Sequence, residues 1–158
     1  IEDYRDSQYT KLENHQATLN PGNKAADFYL SDQNGKFHRL SDFLGKVIYV
    51  NFWTTSCSPC LASIPEKNLL VEEFSDHPFE LLNICLFSKP ELWSSIIEDR
   101  DFAGTHLICK GNWSSRLRDQ YLIQSFPQYA LIDSEGKIIT NKCEKPEDIV
   151  DQLRTMLY

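Results

Sequence analysis

Val47-Ile48-Tyr49-Val50-Asn51-Phe52-Trp53 is β-branched and aromatic on both faces except at Asn51, the pattern of a central strand covered on both sides. Upstream, Ala26 to Leu30 and Lys36 to Leu40 are short alternating runs flanking Ser31-Asp32-Gln33-Asn34-Gly35, and the Asn-Gly pair between them predicts a hairpin. A short turn over Ser41 to Gly45 leads into the central strand. From Cys60 the run LASIPEKNLLVEEFS takes up the helical period, with Leu61, Ile64 and Val71 near one face and Leu70 and Phe74 beside it. Phe79 to Phe87 reads as a second buried strand. Pro90 to Arg100 is a helix with proline near its first turn, His106 to Cys109 a short strand, and Trp113 to Tyr121 another helix. Gln128 to Asp133 and Lys137 to Asn141 form a second hairpin around Ser134-Glu135-Gly136, and Pro146 to Leu157 closes the chain as an amphipathic helix. This order predicts an α/β sandwich.

Residues 1–20 are polar and end at the turn signal Asn20-Pro21-Gly22, so they read as a tail or the remnant of an upstream segment, leaving 21–158 as the folded domain. The chain begins with Ile1, its single methionine is Met156, and it opens without a basic-then-apolar leader. The natural start is therefore expected ahead of Ile1, and any membrane tether would lie there.

The 158 residues suffice for one hydrophobic core, and 41% hydrophobic with 25% charged residues is globular rather than disordered or fibrous composition. Neither repeats nor low-complexity segments occur. A formal charge of −7 and a pI near 5.0 lack the basic excess that drives phosphate-backbone binding, so nucleic acid is not an expected partner. The longest apolar runs fall far short of the roughly 20 residues of a membrane-spanning helix. Five cysteines are an odd number, so at least one is unpaired within the chain.

The chemistry concentrates at Cys57-Ser58-Pro59-Cys60, where the central strand turns into a helix. Cysteines three apart at a helix start lie on one side of the turn, within the roughly 4.4–6.8 Å between Cα atoms that a disulfide tolerates. Cys57, at the helix N-terminus, is the expected nucleophile, because unsatisfied N–H groups there favour a thiolate. Cys60, one turn in and more buried, is placed to resolve the mixed disulfide that Cys57 forms with a substrate. Pro59 sits in the first turn, where its missing N–H costs nothing. A bare CxxC is also half of a zinc site. However, the sequence has no second CxxC, and His15, His38, His77 and His106 are scattered. Redox chemistry is the expectation, with no metal and no cofactor beyond the cysteine pair.

The segment GKVIYVNFWTTSCSPCLASIPE resembles the active-site segment of the thioredoxin superfamily, specifically of TlpA/ResA-like thiol–disulfide oxidoreductases. NKAADFYLSDQNGKFHRLSDFLGK resembles that family's opening hairpin and YLIQSFPQYALIDSEGKII its later loop and hairpin, so the likeness covers roughly 21–158. It implies a thioredoxin fold, a central mixed β-sheet flanked by helices, with an N-terminal β-hairpin extension and a helical insertion. By the same resemblance Pro65 is the kinking proline of the active-site helix, and Pro127 is a cis-proline beside the cysteines. The backbone of Phe126 would then lie open to an extended substrate segment. Trp53 matches the family, and Asn51, Trp53, Ser58, Pro59 and Pro65 are the expected supports of the site. The implied activity is reduction of disulfides in proteins outside the cytoplasm, in a bacterial periplasm or cell envelope, with electrons from an upstream thiol donor.

The chain also departs from the pattern. Asn51 occupies the place of the buried aspartate of thioredoxins, and Ser63 the place where many ResA-like members carry glutamate. The proton acceptor for Cys60 is thus unidentified; water or Glu66 reaching back are candidates, against a plain solvated helix face for Glu66. Ser56 replaces a tryptophan common among relatives. Cys85 and Cys109, between apolar neighbours on strands, read as buried structural thiols, and Cys143 as a near-surface thiol without an assigned role. Two other functions share this fold. In a peroxiredoxin-like (AhpC/TSA-type) peroxidase, Thr54-Thr55-Ser56-Cys57 would supply the T-x-x-C motif, but Val50 stands where that motif wants proline. A copper-binding module would use thiolates and a histidine, with CxxxC in place of CxxC.

Overall fold

All seven residues of β3 (Val47–Trp53) are buried, and the two faces of this strand organise the molecule. The computed structural model describes residues 19–158. The polar N-terminal stretch lies outside the described residues up to position 18; Leu19, at its end, has its side chain in the core.

Among the described residues seven strands form one mixed sheet in the order β2-β1-β5-β4-β3-β6-β7. β1 (Tyr29–Ser31) and β2 (Phe37–Arg39) are the N-terminal hairpin, which joins the sheet through β5 (Thr105–Ile108). β3 runs parallel to β4 (Phe79–Cys85), and β4 parallel to β5. β6 (Gln128–Ile132) lies antiparallel on the other side of β3, and β7 (Ile138–Thr140) forms the far edge. There the segment before the hairpin straps on, with Gly22 N–H donating to Ile138 O and Ile138 N–H to Asn23 O. The helices are α1 (Ser58–Ala62), α2 (Ile64–Glu73), α3 (Pro90–Asp99), α4 (Trp113–Gln120) and α5 (Pro146–Leu157).

Alternation along β3 sorts its side chains between two layers. Ile48, Val50 and Phe52 pack with Leu117 and Tyr121 around α4 and with Phe28 and Leu30 of the hairpin segment. Val47 and Tyr49 face α2 and α5 through Leu70, Phe74, Ile149 and Leu153. Trp53, at the end of the strand, joins Cys60, Ile64, Trp93 and Ile97 in a third cluster under the helix start. This is the expected α/β layering, with α3 and β5 inserted between β4 and α4.

Several boundaries differ from the sequence reading. The second buried strand stops at Cys85 rather than Phe87, because Phe87 adopts φ +50° and turns the chain out of the sheet. The expected turn over Ser41 to Gly45 begins as a 3₁₀ helix, Leu40–Phe43. The hairpin strands are shorter than expected because the tight turn at Gly35, φ +80°, takes its hydrogen bonds from Asp32, which accepts from Asn34 and Lys36 N–H. The helix following Cys60 is not one run. Ser63 (φ −92°, ψ 4°) separates α1 from α2, and Pro65 lies in the first turn of α2. The break shifts the buried face. Leu61 and Val71 are half-buried, whereas Ile64, Lys67 and Leu70 point inward.

Candidate active site

β3 ends at Trp53, and three residues carry the chain over the sheet edge to Cys57, the N-cap of α1. That loop is pinned by the segment after β4, with Leu86 N–H donating to Trp53 O and Thr55 N–H donating to Ser88 Oγ at 3.1 Å. Cys57 and Cys60 are joined by a disulfide, with Cα atoms 5.2 Å apart. The Cys60 N–H donates to Cys57 Sγ at 3.1 Å, so a backbone donor of the first turn already points at the sulfur that would carry negative charge on reduction. Cys57 is half-buried, while Cys60 is 1% exposed. The asymmetry is the one a nucleophile and a resolving thiol require. Ser58 and Pro59 are exposed between them.

Beneath the pair, Trp53 packs against Phe102, with ring centroids 5.6 Å apart, and Cys85, Trp93 and Ile108 complete the cluster that seats Cys60. Asn51, two residues before Trp53 on the same face of β3, is fully buried and donates from Nδ2 to Asn83 Oδ1 at 2.9 Å; its own Oδ1 has no hydrogen-bond partner.

Sequence reasoning missed Lys67, which is 0% exposed. Its Nζ donates to Ser63 Oγ at 2.8 Å and to Cys60 O at 3.3 Å, and lies 5.7 Å and 5.6 Å from the ring centroids of Phe102 and Tyr129. Burial lowers its pKa to about 8, against the opposing pull of Glu66 and Glu147. Spacing carried the signal. Lys67 is three residues after Ile64 and three before Leu70, on the apolar face itself. The residue type masks that signal, because lysine is almost never fully buried.

The opposite wall comes from the loop before β6. The Phe126–Pro127 peptide bond is cis. Phe126 packs against the cluster that holds Cys57 and Cys60, and Pro127 lines a cleft of about 320 Å³ together with Pro59, Ser63, Glu66, Tyr129 and Glu147. Cys57, Cys60, Pro59, Trp53, Phe126 and Pro127 therefore converge. Asn51 lies below the pair, and Pro65 is exposed on the outer side of the helix junction. Glu66 is half-buried, with Oε2 shut from solvent and unpartnered, so it is not the plain solvated side chain of the simpler reading. Tyr129 Oη is likewise buried without a partner of ordinary hydrogen-bond geometry. Burial pushes this phenol up to about 12 despite the nearby Ser63 hydroxyl.

Cys85 and Cys109 are free thiols, 0% and 7% exposed, and burial pushes both up to about 12. Cys143 is also free and is half-buried against the α2–α5 cluster, not open at the surface. Thr54 Oγ1 lies 3.3 Å from Ser56 Oγ. Among the described residues no three or more His, Cys, Asp or Glu side chains are grouped to hold a metal ion, and no helix is long and apolar enough to cross a membrane.

Comparison with known proteins points the same way. The model of the Redoxin family matches residues 20–157. The thiol-disulfide oxidoreductase ResA of Geobacillus thermodenitrificans is 34% identical over 138 residues, covering 85% of this chain and 77% of the relative. Among solved structures, the thioredoxin domain of a thiol-disulfide oxidoreductase from Bacteroides vulgatus aligns with a TM-score of 0.82 at 26% identity, covering 89% of this chain and 99% of that one. The exposed lipoprotein thioredoxin Etrx1 of Streptococcus pneumoniae aligns with a TM-score of 0.68 at 28% identity, covering 82% and 99%.

Proposed function

Because the chain belongs to the Redoxin family and is a thiol–disulfide oxidoreductase of thioredoxin fold, we propose that its Cys57–Cys60 pair works as a reductant of disulfides in proteins outside the cytoplasm. The observation that carries the direction is the modest support of Cys57. Its sulfur accepts the Cys60 N–H, and among the described residues no lysine, arginine or histidine is paired with it. A thiol–disulfide pair becomes strongly oxidising when its thiolate is heavily stabilised. Here that stabilisation is limited, so the potential is expected near that of thioredoxin, roughly −270 mV, or somewhat higher.

The half-exposed Cys57 attacks a substrate disulfide beside Phe126, which packs on the same cluster, with the substrate strand lying along Phe126 and Pro127. Cys60 then displaces the substrate, and an upstream thiol donor restores the dithiol. The location is supported by likeness to an exposed lipoprotein thioredoxin.

Redox titration followed by tryptophan fluorescence tests the reading, since Trp53 packs in the same cluster as both cysteines. A reversible two-electron transition below about −230 mV supports a reductase. A value near −120 mV reverses the direction, and no reversible couple removes the proposal. With insulin as a surrogate protein disulfide, the wild type should accelerate reduction by dithiothreitol, and Cys57→Ser should not.

A further inference from the structure

Both positions at which the resemblance expects a carboxylate for the Cys60 proton hold neutral side chains, Asn51 and Ser63. The ionisable side chain set directly against Cys60 is Lys67, through its carbonyl oxygen and through Ser63, whose hydroxyl also donates to that carbonyl at 3.0 Å. Stability does not explain a lysine here. Among the described residues Lys67 has no carboxylate within ion-pair distance, and an unpaired buried ammonium is less stable than an apolar side chain of the same length. Covalent geometry keeps a residue's Sγ within a few ångström of its own carbonyl oxygen. An ammonium on that oxygen therefore acts on the sulfur through the low-dielectric interior rather than through water.

We propose that Lys67 is a positioning residue whose buried ammonium stabilises the thiolate of Cys60 and so replaces the missing carboxylate in the resolving step. The inference rests on Cys57–Cys60 being the redox couple. Cys57 thiolate attacks the substrate disulfide; one substrate sulfur leaves as a thiolate and is protonated by water, and the other stays bonded to Cys57. Cys60 gives its proton to water. Its thiolate, on the residue whose carbonyl Lys67 Nζ holds, attacks Cys57 Sγ, forms the Cys57–Cys60 disulfide and expels the second substrate thiolate, which water protonates. The two cysteines lose two electrons and the substrate disulfide gains them.

The titratable groups packed around the pair come from several elements. Glu66 lies on α2 itself, Glu147 in the first turn of α5 with Lys145 before it, and Tyr129 on β6. Cys85 lies on β4 and His106 on β5 behind Phe102. Glu66 and Glu147 favour the charged lysine, and its value of about 8 leaves it cationic at neutral pH.

The test is the pH titration of Cys60 in reduced Cys57→Ser, read as thiolate absorbance near about 240 nm with the Cys57→Ser/Cys60→Ser protein as baseline. Cys85, Cys109 and Cys143 are held up at about 12 and stay silent below pH 10. Adding Lys67→Met should raise the midpoint by about one unit or more, a tenfold loss of thiolate below it. Lys67→Gln, which keeps hydrogen bonding without charge, should do the same and decides the matter if the Met variant does not fold. In protein with both cysteines, either change should slow decay of a preformed mixed disulfide at neutral pH about tenfold. Midpoints that move by less than about 0.3 unit in folded variants, with the wild-type couple reversible, overturn this inference alone. Absence of a reversible couple in the wild type overturns it together with the reductase reading.

Discussion

Asn51 and Asn83 face one another in register on the parallel strands β3 and β4, joined by a 2.9 Å hydrogen bond between two fully buried amides. Asn83 spends its Nδ2 donors on Ala103 O and Thr105 O as well, so the pair ties the floor of the active site to the turn before β5. A neutral pair satisfies the strands without placing a charge under the cysteines.

Asn51→Asp should therefore be tolerated at acid pH, where a protonated carboxyl can donate to Asn83 Oδ1, and should cost on the order of 2–4 kcal/mol once ionised. Burial raises the folded-state pKa of such a carboxyl. The penalty is small below the unfolded value near about 4 and grows as pH rises towards the folded value. Urea denaturation at acid and neutral pH measures it; an equal penalty at both would show that the carboxylate finds a partner in the fold.

Gly104 carries φ +93°, and a Cβ there would come within 2.8 Å of Leu81 O and 2.9 Å of Asn83 Nδ2. Neither is the free end of a flexible side chain, so Gly104→Ala should destabilise the protein by about 2 kcal/mol or more. The drop should appear as an earlier denaturation midpoint without a change in the Cys57–Cys60 Cα separation.

In the reduced protein at neutral pH, iodoacetamide should label Cys57 first and singly. Cys57 is half-buried and accepts the Cys60 N–H, whereas Cys60 is 1% exposed and Cys85 and Cys109 are buried thiols at about 12. Intact-mass measurement over time checks this, and early labelling of Cys85 or Cys109 would contradict the packing described above.

His106 introduces a separate acid sensitivity. Burial lowers its pKa to about 4, and Nε2 lies 2.7 Å from Phe102 O while Nδ1 is buried without a partner, which suits the neutral ring donating from Nε2. The folded value lies below the unfolded one of about 6.5, so the unfolded chain binds the proton more readily. Stability from this group is complete above about pH 6.5 and falls as pH drops, by ~3 kcal/mol at pH 4. Denaturation curves at three pH values should show the slope, and His106→Gln should flatten it.

Local signals placed β3, both hairpins and the closing helix: a β-branched and aromatic run for the central strand, turn residues between short strands for the hairpins, and the 3.6-residue period for the helix. The CxxC at a strand-to-helix turn named the reacting pair for the same local reason. Phe126 and Pro127 were legible only through resemblance, since Phe126 lies 66 positions after Cys60 and no spacing rule joins them.

The sequence by itself thus determined the layers and the Cys57–Cys60 pair, both of which follow from the chain's local geometry. Tertiary structure decided what stands behind Cys60. Whether Lys67 is a solvated surface lysine or a buried cation depends on the helix break at Ser63, on Phe102 from the turn before β5 and on Tyr129 from β6 closing over it. Burial is a property of what the rest of the chain packs against a position, and the charge that a buried position imposes on its neighbours is set there and not by the residues beside it in sequence.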